Sequence, residues 1–510
     1  MQTSSKPNWL PKPTDTQLQH PRLTPSVRGK RRLATIAGST VLGLVLANTS
    51  FAAPPRISKP VSPEPSQTGQ REGAATTGLL APFIGISRSS NLLGDMWGLR
   101  PWLSQYGLSF ALQETSEVLG NVTGGTKQGF AYDGLTLMVL EMDTQRAFDW
   151  YGGTFTVSAL QIHGRNLSED NLQTLQTASG IQSDRATRLW ELWYEQKLLE
   201  EDRLSVKIGQ QSLDQEFMVS QNALLFVNTM FGWPMVPSAD MLEGGPAYPL
   251  SAPGIRTSVR LADSWTVLAG VFTGDARLQN DSGTRFTLDG GALAIAELQY
   301  AYPAPGAMVY AGRKTPLART YRFGVWYDTE DFEDQRFDNT GLSLADPAST
   351  GVAQTHRGNY SLYAVADQMI WQDPERADRA LNAFIRAMGM PQTDRNLIDF
   401  SLNAGLTLTA PFLGRDMDTV GLGMGYAHVS GRAAGLDRDT GFFTGSAIPV
   451  RDNEVFVELT YQYQLTPWCQ VQPDFQYVFN PGGGVPNPNS ASGQRVKDEA
   501  VIGLRVNIAF

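Results

Sequence analysis

The sequence predicts an all-β protein, a transmembrane, antiparallel, up-and-down β-barrel of about 16 strands. Segments of about ten residues carry apolar side chains at every second position and are separated by Gly, Asp, Asn and Pro. After residue 52 no run of about 18 consecutive apolar residues occurs, so that part of the sequence holds no candidate for a transmembrane helix. Alternating apolar positions, in a part of the sequence without a candidate transmembrane helix, favour a β-sheet that spans the membrane.

The N-terminal residues 1–52 are predicted to be a cleaved signal peptide. A basic cluster, Arg28–Arg32, precedes an apolar stretch, Leu33–Leu46, that is too short to span a bilayer comfortably. Ser50 and Ala52 supply the small residues expected before a cleavage site. The alternative is an N-terminal membrane anchor, because the polar stretch before the basic cluster is unusually long for a signal peptide.

Residues 53–90 are rich in Pro, Ser and Gly and are predicted to form a flexible lead-in, which leaves 91–510 as the barrel. Without residues 1–52 the chain carries 34 basic and 49 acidic residues, a formal charge of −15. This acidity argues against a nucleic-acid partner, which would need a basic face. One cysteine and four histidines leave little for a metal site, so no metal or cofactor is expected, and Cys469 is predicted to be a buried residue.

The segments near the C-terminus show the alternation most clearly. In 453–465 one face is apolar, with Val455, Val457, Leu459, Tyr461, Tyr463 and Leu465. The same pattern recurs in 471–479 and in 500–510, which finishes on Phe510, an aromatic residue typical of the ends of outer-membrane barrels. Because hydrocarbon cannot satisfy backbone N–H and C=O groups, a spanning sheet must close on itself. The polar face then lines a water-filled bore.

Sixteen segments alternate convincingly, and residues 307–313 form a doubtful seventeenth. Single-chain bacterial barrels close with an even number of strands, so we predict 16.

These segments also resemble the OprB-type carbohydrate-selective porins of Gram-negative outer membranes. The similar stretches follow one another in order along nearly all the chain after the lead-in, at 95–125, 152–168, 188–198, 204–217, 455–484 and 498–510. The resemblance implies a 16-stranded barrel in the outer membrane and passive diffusion of monosaccharides and related carbohydrates into the periplasm. Its partners would be carbohydrate solutes and outer-membrane lipid, and association into a homo-oligomer is left open.

A sugar that crosses a constriction needs hydrogen bonds in place of those lost to water, and aromatic rings that contact its C–H faces. The candidates are therefore charged and aromatic side chains on the polar strand faces. They are Glu191, Trp193, Glu195, Arg256, Arg260, Arg322, Trp326 and Arg505. Arg165, which enters a long loop, is the candidate nearest to an infolded constriction. The alternative for each is an ordinary solvated or ion-paired wall residue, because lumen walls are polar in any case.

Residues 211–253 are long and apolar for an exposed loop, so they are expected either to fold into the barrel or cover its mouth, or to exchange with or contact another subunit. Two alternatives to a sugar porin remain, a general small-solute porin and a secreted carbohydrate-binding β-sandwich. No enzyme is predicted, because the surroundings of His163 and His428 lack a recognisable nucleophile elbow.

Overall fold

A computed structural model of the chain describes residues 90–304, 317–490 and 493–510. Sixteen antiparallel strands in these residues pair with their chain neighbours, and the first pairs with the last to close a barrel. The predicted fold class and strand number are confirmed, and the β-sandwich alternative is wrong. The strands are β1 (Leu108–Thr123), β2 (Gly129–Asp143), β3 (Gly153–Gly164), β4 (Ala186–Leu198), β5 (Leu204–Gln211), β6 (Ala252–Ala262), β7 (Trp265–Phe272), β8 (Leu293–Tyr302), β9 (Arg319–Asp338), β10 (Ala353–Gln372), β11 (Ala380–Gly389), β12 (Ile398–Thr409), β13 (Thr419–Val429), β14 (Asn453–Thr466), β15 (Cys469–Phe479) and β16 (Glu499–Ala509).

Three regions that the sequence singled out fall outside the described residues. They are the predicted signal peptide, the lead-in apart from Ser90, and the doubtful strand at 307–313. The first two therefore stay predictions.

Helices are short and lie in the connections. They are α1 (Leu99–Gln105), α2 (Thr144–Phe148), α3 (Thr229–Gly232), α4 (Met235–Asp240), α5 (Gly431–Thr444) and α6 (Pro481–Gly484). Across the ranges that the structure describes, no helix is both long enough and apolar enough to cross a membrane.

The alternating side chains form an apolar outer face and a mainly polar inner face, as predicted. In β14, Leu459 points outward with half of its surface exposed, whereas Phe456 and Glu458 point inward and are buried. In β16, Ile502 and Leu504 likewise point outward. A pleated strand sends successive side chains to opposite faces, so the sequence pattern alone determines the orientation here.

The two ends of the barrel differ in the length of their connections. One end has short turns, such as 263–264 and 467–468, whereas the other has long loops, such as 430–452. Outer-membrane barrels place short turns in the periplasm and longer loops outside the cell. At the periplasmic end the Leu92 N–H donates to the Ala509 carbonyl over 2.8 Å, so the segment before β1 extends the seam beside β16.

The connection between β5 and β6, residues 212–251, folds into the barrel, and we call it the inner loop. Of the two alternatives left open by the sequence, the structure therefore shows the infolded loop. Buried side chains of the inner loop pack against inward-facing side chains of the wall. The loop contributes Phe217, Met218, Phe226, Phe231, Met235 and Val236, and the wall contributes Phe272, Ile295, Trp326, Tyr363, Phe384 and Phe456. Burial of each such side chain stabilises the docked loop by about 1.5–3 kcal/mol.

A β-bulge in β4 breaks the simple alternation. Ser158 pairs with Glu191 and Ala159 with Leu189, so Trp190 is an extra residue in the ladder. Strict alternation from Glu191, which is predicted to face the lumen, would place Trp190 on the outer face, but Trp190 faces inward. Both side chains are buried, because the bulge turns two successive residues inward.

Candidate functional site

Acidic side chains bind the inner loop to one side of the barrel, strands β8–β13, which we call the covered wall. The Asp367 carboxylate accepts hydrogen bonds from the Ser220 hydroxyl at 2.7 Å and the Asn222 side-chain amide at 3.0 Å. The Glu297 carboxylate accepts the backbone N–H of Met218 at 2.9 Å. These wall carboxylates satisfy backbone and polar groups that the loop would otherwise bury without partners.

Two arginines complete the attachment to the covered wall. The fully buried Arg386 guanidinium donates to the carbonyls of Met218 at 2.8 Å and Gly232 at 3.1 Å, and also to that of Met230. Arg322 donates to the Val219 carbonyl. The guanidinium fork suits several acceptors at once, so Arg386 binds three loop carbonyls and the Asn403 side chain together.

Inward-facing glycines of β13 form a recess for the inner loop. A Cβ atom on Gly423 would lie 2.6 Å from the Phe231 ring and 2.9 Å from the Phe226 ring, far closer than carbon atoms normally approach. A Cβ on Gly421 would lie 2.9 Å from Phe226. The two rings stack with centroids 4.4 Å apart, and Phe384 contacts both. The missing side chains therefore allow the loop to lie directly on the wall backbone.

A second connection, residues 165–185, also turns inward and meets the inner loop. The Glu454 carboxylate accepts the backbone N–H groups of Leu175 at 2.8 Å and Gln176 at 2.7 Å. The Gly180 N–H donates to the Val227 carbonyl over 2.9 Å, which joins the two infolded segments. Together they narrow the lumen from one side.

A cavity of about 240 Å³ remains between the infolded segments and strands β14–β16 and β1–β4, which we call the open wall. Amide and hydroxyl side chains line it on β14, β15, β16 and β1. They are Gln462, Gln470, Gln472, Asn507, Gln113 and Thr115. Apolar and aromatic side chains line it on β2, β3, β4 and the inner loop. They are Leu135, Leu137, Leu160, Trp190, Trp233 and Tyr248. The cavity thus has a hydrogen-bonding side and an apolar side.

Among the residues that line this cavity, Asp214 and Arg505 are the charged ones, and both have partners. Arg505 donates to Glu117 at 2.9 Å. Asp214 accepts from the Ser212 hydroxyl at 2.6 Å, and burial raises the pKa of its carboxyl despite that hydrogen bond. Neutral amides therefore supply most of the free hydrogen-bonding capacity.

A compact charged cluster lies where the inner loop leaves β5. Arg256 donates to Glu195 at 3.0 Å and to Glu216 at 3.1 Å. Lys207 pairs with Glu216 and lies 4.3 Å from the centroid of the Trp193 ring. Burial alone would raise the pKa of the Glu216 carboxyl, but Arg256 and Lys207 outweigh it and lower that pKa to about 2. Glu216 is therefore ionised throughout the physiological range.

The structure distributes the sequence-predicted site residues over several environments. Arg505 lines the cavity, whereas Arg322 and Trp326 lie beneath the inner loop, Trp326 with no exposed surface. Arg260 binds Glu201 at the periplasmic turn. Arg165 is exposed at the extracellular end.

The remaining candidates lie near the start of the inner loop. The Glu191 carboxylate accepts the Ser212 N–H at 3.1 Å, which fixes the first residue of that loop. Trp193, Glu195 and Arg256 belong to the charged cluster with Lys207 and Glu216.

Sequence reasoning missed two sets of residues, the loop anchors Glu297, Asp367 and Arg386 and the cavity amides. Gln462, Gln472 and Asn507 do stand on polar strand faces in the sequence, which was the available signal. Nothing in the alternation distinguishes a side chain under the loop from one beside the cavity.

The histidines considered for catalysis lie away from the cavity. His163 faces outward on β3 and hydrogen-bonds to the Tyr132 hydroxyl at 3.1 Å, and the His428 Nδ1 lies 2.6 Å from Asp399. In residues 90–304, 317–490 and 493–510 no group of His, Cys, Asp and Glu has a geometry that would hold a metal ion. Cys469 is buried, as predicted.

Comparison with known proteins shows the family to which the chain belongs. The model of the carbohydrate-selective porin, OprB family matches residues 127–510. Porin B of Pseudomonas aeruginosa is 27% identical over 446 residues, which cover 82% of this chain and 91% of that protein. The putative porin QuiX of Acinetobacter baylyi is 23% identical and covers 82% of this chain and 93% of its own length.

Solved structures agree on the fold. The high-pH structure of Pseudomonas putida OprB superposes with a TM-score of 0.71 at 23% identity, over 83% of this chain and 99% of that one. A closed 16-stranded barrel, infolded loops and the family match together indicate a transport protein rather than an enzyme. The chain belongs to the carbohydrate-selective porin family, OprB, and is a porin of the Gram-negative outer membrane.

Proposed function

We propose that this porin mediates passive diffusion of monosaccharides and related neutral carbohydrates into the periplasm. The observation that carries the proposal is the two-sided cavity, with amides on β1 and β14–β16 opposite Leu137, Leu160, Trp190 and Tyr248. A sugar ring has hydroxyl groups at its edge and C–H groups on its faces, so it matches both sides at once. Weak, neutral contacts of this kind favour flux over retention.

Of the sequence candidates, we propose that Arg505 contacts the solute directly, because it lines the cavity. Glu191, Arg256 and Arg322 would act indirectly, because each is bound to the inner loop and none of them lines the cavity. Two further contacts are proposed at Gln113 and Gln462, whose side-chain amides line the cavity and have no hydrogen-bond partner within the described part of the chain.

Liposome swelling with the purified protein tests the proposal. Glucose, a disaccharide and a zwitterionic amino acid of similar size are compared, and the fastest entry is expected for glucose. Equal entry of glucose and the amino acid would support the alternative, a general small-solute porin. Absence of swelling would contradict an open channel.

A double variant, Gln113→Leu with Gln462→Leu, tests the amide contacts. Removal of two hydrogen-bonding groups should slow glucose swelling at least about five-fold, because each such bond contributes at least about 0.5 kcal/mol, while small-ion conductance changes little. The matched control is Asn382→Leu, which removes an inward-facing amide of β11 outside the cavity. An equal effect of the control would show that the amides do not contact the sugar.

A further inference from the structure

The guanidinium group of Arg505 is only partly used by the protein itself. Its Nε donates to the Glu117 carboxylate at 2.9 Å, and its Nη2 donates to the Ser179 hydroxyl at 3.2 Å and the Val227 carbonyl at 3.5 Å. Within the described residues the third nitrogen, Nη1, has no hydrogen-bond partner. Because Arg505 lines the cavity, Nη1 is the donor that it can offer to a solute.

The carboxylate of Glu117 is hidden from the cavity. Glu117 on β1 and Arg505 on β16 are partners in the ladder, and both side chains point inward. The Glu117 side chain has no exposed surface and does not line the cavity, whereas the Arg505 side chain keeps 13% of its surface exposed. Ser179, a fully buried residue of the infolded segment 165–185, donates to the same carboxylate. A solute in the cavity therefore meets the guanidinium group and not the carboxylate.

The hidden carboxylate compensates a charge that the cavity would otherwise present. Among the described residues, Glu117 is the acidic residue that is hydrogen-bonded to Arg505. The other charged residue at the cavity, Asp214, lies on the inner loop and binds Ser212 instead. A charge inside a narrow lumen is screened less than one in bulk water, so an unpaired guanidinium group would attract anions into the cavity. The ion pair leaves the cavity a donor with little net charge.

We infer that Glu117 determines the preference of this porin for neutral over acidic sugars. Its carboxylate fixes Nε of Arg505, so that Nη1 faces the cavity, and it cancels the positive charge that would favour sugar acids. Glu117 touches no solute and acts through Arg505, so it is a positioning residue. The inference deepens the proposed function and rests on it for the contact between Arg505 and the sugar.

Single-channel recording on Glu117→Gln tests the inference. Glutamine has the shape of glutamate, and its amide oxygen can still accept from Arg505, so the substitution mainly removes the negative charge. The reversal potential in a potassium chloride gradient should shift toward the value for chloride. The permeability to gluconate relative to glucose should rise at least about five-fold, which is the effect of one unit charge about 4 Å away even when water screens it fully.

Two further variants make the test specific to the ion pair. The matched control is Asp133→Asn, because Asp133 is a buried ladder neighbour of Glu117 on β2 whose carboxylate binds Gln182 at 3.3 Å, and it should leave the reversal potential close to that of the wild type. Glu117→Gln with Arg505→Gln should also return the reversal potential to the wild-type value.

Three results would each overturn the inference. They are an unchanged reversal potential in Glu117→Gln, an equal shift in Asp133→Asn, and a shift that persists in the double variant. Failure of the proposed function is a separate result, namely wild-type swelling that is no faster in glucose than in a zwitterionic amino acid. The reversal potential decides the role of Glu117 in either case, because it is measured with potassium and chloride alone.

Discussion

The covered wall and the open wall share the same alternation of outward apolar and inward polar residues. Their inward residues differ in role, because those of the covered wall bind the inner loop and many of those of the open wall line the cavity. On the covered wall, carboxylates and guanidinium groups are consumed in binding the inner loop, as Asp367 and Arg386 show. On the open wall, Glu454 and Glu458 of β14 also hold infolded backbone, but the side chains that face the cavity are mostly neutral amides, such as Gln113 and Gln462. Charged side chains thus hold the inner loop in place, whereas neutral amides line the cavity that we propose for the solute.

The largest effect is expected from loss of a covered-wall anchor. Arg386→Leu leaves three loop carbonyls without their donor, so the inner loop should detach from β11 and the free energy of unfolding should fall by about 3 kcal/mol. Single-channel conductance should rise, and urea titration measures the stability. Arg386→Lys should be intermediate, because lysine keeps the charge without the fork. Unchanged conductance in Arg386→Leu would show that the loop does not depend on this anchor.

A change in the glycine recess should have the opposite effect on the pore. Gly423→Leu places a side chain where Phe226 and Phe231 lie, so the loop must move toward the cavity that Phe226 also lines. We expect a lower conductance and a loss of about 2 kcal/mol from overpacking. Truncation of the opposing ring, as in Gly423→Leu with Phe231→Ala, should restore conductance. If the double variant conducts no better, the recess does not determine the pore width.

Acid should loosen the charged cluster at the start of the inner loop. The pKa of Glu216 is lowered in the folded protein to about 2, below its ordinary value, so its contribution is complete above about pH 4.5 and is lost as the pH falls toward 2. At roughly pH 3.5 the loss is about 1 kcal/mol. Urea titration at neutral and acid pH measures it, and Glu216→Gln should abolish this part of the pH dependence. A wild-type-like pH profile in that variant would assign the effect to another carboxyl group.

The smallest effect is expected at the barrel rim. Arg165 is exposed and does not line the cavity, so Arg165→Ala should change the free energy of unfolding by less than about 0.5 kcal/mol and leave glucose swelling unaltered. A marked fall in glucose entry would instead make Arg165 a constriction residue.

Much of the fold follows from local periodicity, and most of the site does not. The faces of β14 and β16 were predictable because side-chain direction in a strand depends only on position along the chain. The alternation failed at Trp190, where one extra residue changes the direction of the side chain.

Two arginines show that alternation along a strand does not determine the environment of an inward-facing side chain. Arg322 and Arg505 are both assigned to the lumen by alternation, but one lies beneath the inner loop and the other lines the cavity. Both arginines donate to carbonyls of the inner loop that are far away in sequence, Arg322 to Val219 and Arg505 to Val227. The path of the inner loop through the barrel determines which of the two arginines is covered and which one lines the cavity.

The inner loop spans the barrel as an internal strut. Its bonds reach Glu297 on β8, Arg386 on β11 and Glu458 on β14, so it ties together strands that would otherwise be joined only through the wall. A thin-walled tube flattens under lateral pressure, whereas a tube braced by a close-packed interior resists. The cross-section of this channel is therefore governed by the protein, and its conductance should stay the same in bilayers of different lateral tension.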